Sequence, residues 1–172
     1  MKGLIIATTE VLGQVLTTLD VAKGTAYTDI PEGMTSCMGR HIRHVLDHYT
    51  ALQTGIVSGE VDYDQRSRDS EIESSTEVAK QQVLNLIKWV NADITNDMPL
   101  NMKTEISISS QQFITVDSSL KRELIYLLNH TVHHMAQVSF ALRILNINID
   151  SEIGIAPATL TYLLNDQMRE VG

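Results

Sequence analysis

The chain has 172 residues, 43% of them hydrophobic and 20% charged, with a formal net charge of -8. That length fits one domain, residues 1–172, and its acidity excludes the clustered Lys and Arg that nucleic acid or an anionic membrane surface would need. The single cysteine, Cys37, excludes an internal disulfide and a Cys-rich zinc site, so a cytoplasmic protein with imidazole and carboxylate as its metal donors is expected.

The N-terminal apolar run Leu4-Ile5-Ile6-Ala7 is too short for a signal peptide, and no later stretch is expected to span a bilayer. From Leu4 to about Val21, apolar residues recur at helical spacing and predict a first helix. Gly24 to Gly33, with Pro31, reads as a connection. A second helix is predicted from a cap at Thr35-Ser36, through Met38, Ile42, Val45, Leu46, Tyr49 and Leu52, to Gly55. Val57 to Ser70 is polar and reads as a long ordered loop.

The third helix takes Val78, Val83, Leu86, Ile87, Val90 and Ile94 after a cap at Ser74 or Ser75, and Pro99 lies past its end. Ile106 and Ile108 alternate with serines, and Phe113, Thr115 and Val116 follow, which predicts a small β-hairpin turning at Gln111-Gln112. The fourth helix is the clearest: Ser118 or Ser119 caps it, Glu123 supplies an acidic first turn, and apolar residues run to about Leu145. Pro157 opens a short final helix. The fold expected is all-α: a four-helix bundle with a small β-hairpin between helices three and four and a short C-terminal helix. Only 5% of residues are aromatic, so its core is aliphatic, with methionines such as Met38 and Met135 as filling.

All six histidines fall in two windows, His41, His44 and His48 on the second helix and His130, His133 and His134 on the fourth. At about 100° per residue, the first three share an arc of about 60° at the edge of the apolar stripe. His130 and His134 are one turn apart on one face, the spacing by which two imidazoles of one helix chelate one ion. His133 points about 100° away from His134 and fits the same ion less well. Two ligands from the fourth helix and one from the second leave a position on a divalent ion for a substrate. Imidazole ligation suits zinc, nickel, iron or copper.

Taken together, Gly39-Arg40-His41-Ile42-Arg43-His44-Val45-Leu46-Asp47-His48-Tyr49, Ser119-Leu120-Lys121-Arg122-Glu123-Leu124 and Asn129-His130-Thr131-Val132-His133-His134-Met135-Ala136-Gln137 resemble the DinB-like superfamily of metal-binding bundles. The resemblance runs through nearly the whole chain, including the tail Gly154-Ile155-Ala156-Pro157. It implies a homodimeric four-helix bundle in which one His of the second helix joins an HxxxH around a single divalent metal, zinc or nickel before iron or copper. The HxxxH is His130 and His134. Position relative to the cap favours His44 as the third ligand, with His48 the alternative and His41 and His133 in supporting roles. Many relatives read HHRGQ where this chain has His133-His134-Met135-Ala136-Gln137, so a role carried by that Arg is not expected here.

The resemblance further implies a small-molecule substrate and a low-molecular-weight thiol, in a transferase, isomerase or hydrolase reaction. The alternative it leaves is a non-catalytic metal-binding or stress-associated dimeric interaction module. Arg122 and Glu123 are expected either to bind substrate or to pin the hairpin, and the Asp62–Asp69 segment to carry surface ion pairs or to close over the site. Cys37 is read as structural.

Overall fold

The computed structural model describes residues 1–65 and 70–170, with side chains through Asp166. In chain order the elements are α1 (Lys2–Val21), α2 (Thr25–Thr28), α3 (Met38–Ser58), β1 (Glu60–Asp62), a 3-10 turn at Glu71–Glu73, α4 (Thr76–Ala92), β2 (Pro99–Glu105), β3 (Phe113–Ser119), α5 (Leu120–Ile144) and α6 (Pro157–Glu170). The protein is mostly helical, with a three-stranded sheet attached. α1 packs against α4 and α5, and α3 packs against the same two helices.

Each long helix buries a stripe set by its sequence period. On α3 the stripe is Met38, Ile42, Val45, Leu46, Tyr49 and Leu52; on α5 it is Leu120, Leu124, Leu127, Met135, Val138 and Leu142. Steps of three and four keep these side chains on one face, and burying each contributes roughly 1.5–3 kcal/mol. α1 is long and apolar enough to cross a membrane by length and composition alone. In this fold it buries Thr8, Val11, Leu12, Val15, Thr18 and Leu19.

The caps follow the chemistry of the serines. Ser75 Oγ accepts the Val78 amide at 3.3 Å, and Ser119 Oγ accepts the Arg122 amide at 3.3 Å, each satisfying an N–H that the helix itself leaves open. Ser118, the other candidate for α5, turns the opposite way and donates to Glu123. α3 begins later than Thr35-Ser36, with Cys37 at the N-cap position and no side-chain cap bond. Cys37 is buried there, in keeping with a structural role.

The sheet departs most from expectation. The hairpin exists, but its first strand is Pro99–Glu105, and the Ile106/Ile108 alternation falls in the connection. Ile108 is fully exposed, so that alternation records no buried face. β1 lies inside the polar segment expected to be a loop; it pairs parallel to β2, Val61 opposite Met102, giving the order β1-β2-β3. Three residues are too few for a periodic signal. Two glycines place β1. Gly59 ends α3 in the left-handed region (φ 81°), which reverses the chain at once into the strand. At Gly55 an added Cβ would meet the Glu60 carbonyl oxygen at 2.7 Å, so only a glycine lets the strand return this close to the helix.

Candidate metal centre

His44 comes from α3, and His130 and His134 come from α5, where these two helices pack. The contact is fixed just beside the histidines: Thr131 Oγ1 and Tyr49 Oη, both buried, lie 3.2 Å apart. One ring nitrogen from each of His44, His130 and His134 lies within 4.8 Å of the other two, a grouping able to hold a metal ion. The ring centroids are separated by 4.9 Å (His44–His130), 4.6 Å (His44–His134) and 4.5 Å (His130–His134).

The donor set suits a divalent ion on chemical grounds. A metal takes the neutral imidazole, and protonation competes with it. Burial, followed by the neighbouring His130, His41, His133 and His48, pulls the His134 pKa down to about 3. That ring is therefore neutral at physiological pH.

His48, the alternative from α3, is more deeply buried than His44. Its Nδ1 lies 2.8 Å from the His44 carbonyl oxygen, which makes Nδ1 the protonated nitrogen and leaves the lone pair on Nε2. Its ring is 4.4 Å from both His44 and His130 and lies stacked on Tyr63 at 5.2 Å. His41 Nδ1 is 3.0 Å from His134 Nδ1. Only one of those nitrogens carries the proton, so His41 helps to set the His134 tautomer. Burial and His133 lower the pKa of His41 as well. His133 is exposed, with its ring 5.3 Å from that of His134. Asp47 binds Arg43 at 2.7 Å, and Arg43 in turn holds Glu73 at 2.7 Å.

The cluster adjoins a cavity of about 350 Å³. His44, His48 and His130 form one side, Tyr63 and Tyr126 the flanks, and Met102, Thr104, Arg122 and Glu123 the sheet side. Met102 and Thr104 face inward because they are two apart on β2. Glu123 is fully buried and accepts hydrogen bonds from the hydroxyls of Tyr63 (2.8 Å) and Ser118. It thus ties the segment after β1 and the end of β3 to the first turn of α5, and so pins the sheet while also lining the cavity. Burial, then the Glu123 carboxylate, raises the Tyr63 pKa, so its hydroxyl stays a donor.

Tyr126 stacks 5.5 Å from His130 and precedes it by one helical turn, a spacing from which it was recognisable. Tyr63 gave no such signal, since it follows β1 in a polar segment. Of the Asp62–Asp69 segment, Arg66, Ser67, Arg68 and Asp69 lie outside the described residues.

With this geometry in place, comparison with known proteins gives the wider setting. The model of the DinB family matches residues 13–169. The chain belongs to the DinB family. This DinB protein is also 30% identical, over 105 residues, to FK506-binding protein 5 of Rhizopus delemar. That match covers 60% of the DinB chain and 27% of the fungal protein, so the chain spans about a quarter of that relative's length.

Proposed function

We propose that this DinB protein is a metal-dependent enzyme acting on a small molecule. His44, His130 and His134 would hold one divalent ion, and His48 is the substitute from α3. One observation carries the reading: three imidazole nitrogens from two helices gather within 4.8 Å beside a cavity of about 350 Å³. A divalent ion bound there supplies Lewis acidity toward a substrate atom. Zinc or nickel is favoured, with iron or copper compatible with the same donors.

The protein's own groups have separable tasks. His48 and His41 orient the imidazoles around them, Tyr63 and Tyr126 shape an aromatic wall, and the two-residue period of β2 turns Met102 and Thr104 toward the substrate. We infer a transfer, isomerisation or hydrolysis assisted by a low-molecular-weight thiol, an inference drawn from the resemblance to thiol-dependent DinB-like proteins. The finer architectural reading, a four-helix bundle formed by α1, α3, α4 and α5, is supported by the packing of α1 and α3 against α4 and α5. Homodimerisation is drawn from the same resemblance, and the exposed Ile125, Phe140 and Ile144 on α5 offer an apolar face for it. A monomer in sedimentation at micromolar concentration would exclude it.

A second reading, a non-catalytic metal-binding module, is favoured by one finding: the segment matched in FK506-binding protein 5 is a minor part of a longer chain.

Metal content and zinc titration of the purified protein test the site. His130→Ala is expected to weaken zinc binding by more than about a hundredfold, since losing even an outer-shell partner costs 10–100-fold. Unchanged affinity removes the site altogether. A screen of small thiols with electrophiles then separates the enzyme from the module.

A further inference from the structure

Among the described residues, Arg122 is the Lys or Arg on the cavity wall, and its surroundings do not account for it as a structural residue. It sits in the first turn of α5, where the helix dipole disfavours positive charge. Among the described residues it pairs with Glu123 at 3.7 Å, beyond hydrogen-bond reach, and that carboxylate already accepts from the Tyr63 and Ser118 hydroxyls. The sheet is thus pinned without it. The guanidinium instead lies over the Tyr126 ring at 5.6 Å, while its side chain remains 57% exposed. Among the described residues no hydrogen bond takes up its planar fork of donors, and the side chain lines the cavity.

We propose that the cavity binds a small carboxylate-bearing molecule, with the carboxylate on Arg122 and the opposite end directed at the histidines. The second half of this assignment rests on the metal-site reading above; the first half does not. The two ends are close enough for one short molecule. Arg122 lies 5.6 Å from the Tyr126 ring, which lies 5.5 Å from that of His130. The volume of about 350 Å³ suits a ligand of that size.

The charge on the wall selects a carboxylate over a phosphate. Asp64 and Glu123 line the same cavity, Asp64 taking the Glu105 amide at 2.6 Å. A dianion would meet their repulsion, whereas a single carboxylate pairs with one guanidinium in bidentate fashion. Tyr126 holds the guanidinium from behind and leaves its edge to the ligand.

Calorimetric titration of the zinc-loaded protein with mercaptopropionate and with mercaptopropanol tests this, because the two differ only in the charged end. The carboxylate is expected to bind about ten- to a hundredfold more tightly, the worth of one charge-assisted hydrogen-bonded pair. Arg122→Gln should abolish that preference and leave zinc affinity and melting temperature unchanged. Equal binding by the wild type, or a preference that survives Arg122→Gln, overturns the proposal. If the chain takes up no zinc, the metal reading fails by itself and the same ligands are titrated into the metal-free protein. Amide shifts at Thr104 and Tyr126 that need both the carboxylate and Arg122 then sustain the Arg122 site. Their absence overturns it.

Discussion

The imidazole of His134 lies within 5.3 Å, centroid to centroid, of the rings of His41, His44, His130 and His133. Desolvation and that crowding both oppose its protonation, with burial the larger cause, and hold its pKa at about 3 against an ordinary 6.5. The consequence for stability has a definite sign. Above about pH 6.5 the ring is neutral in the folded and unfolded chain alike. As pH falls toward 3, the unfolded chain takes up a proton that the folded one resists, so stability is lost through that window. Urea denaturation of the metal-free protein should show its midpoint declining as pH is lowered from 6.5 to 4, and His134→Gln should flatten the decline. An equal decline in the variant would assign the acid sensitivity to other groups. Metal binding through His134 should weaken only as pH approaches about 3, where protons begin to compete for that nitrogen in the folded chain. The clustering of histidines in two windows was legible from the chain alone. Which nitrogen of each ring faces inward was not, because tautomers are set by neighbours such as the His44 carbonyl oxygen on His48.

Among the elements, the helices were readable and the sheet was only partly so. α5 declares itself through a long apolar period and a serine cap. The choice between Ser118 and Ser119 turns on a tertiary contact, since Ser118 is drawn to Glu123 across the start of the helix. β1 was hidden because a three-residue strand has no period to read, and its partner lies beyond α4. Its signature was a pair of glycines at the end of α3, whose meaning depends on what approaches them. Gly55→Ala should therefore act on the sheet. The new methyl would meet the Glu60 carbonyl oxygen at 2.7 Å and the Val61 side chain at 2.6 Å, so β1 must shift. A loss of about 1–3 kcal/mol is expected, as for overpacking elsewhere, read by urea denaturation. The Asn101 amide on β2, which donates to the Gly59 carbonyl oxygen at the start of β1, should lose hydrogen-exchange protection more than those within α5. Uniform loss of protection would mean that the strand and the helices yield together.

For the molecule as a whole, the candidate ligands join segments far apart in the chain, with His44 on α3 and His130 and His134 on α5. An ion that binds only this folded arrangement stabilises it by mass action, by about 4 kcal/mol at a thousand times its dissociation constant. Zinc should accordingly raise the melting temperature by several degrees, and a chelator should reverse the rise; His44→Ala should blunt it. No zinc-dependent shift in the wild type would count against a site that couples α3 to α5. The parallel pairing of β1 with β2 has a different consequence, one of timing. Antiparallel neighbours such as β2 and β3 can zip together through the short connection between them, whereas β1 meets β2 only after α4 has been laid down between them. Closing such a loop costs entropy before any pairing repays it, so contacts of this kind form slowly. The histidines of α3 and α5 lie farther apart still in the chain, so gathering them carries a closure cost at least as large. The cavity wall from Tyr63 to Thr104 and the histidine cluster thus both wait on long-range closure, while each helix can form from its own neighbours.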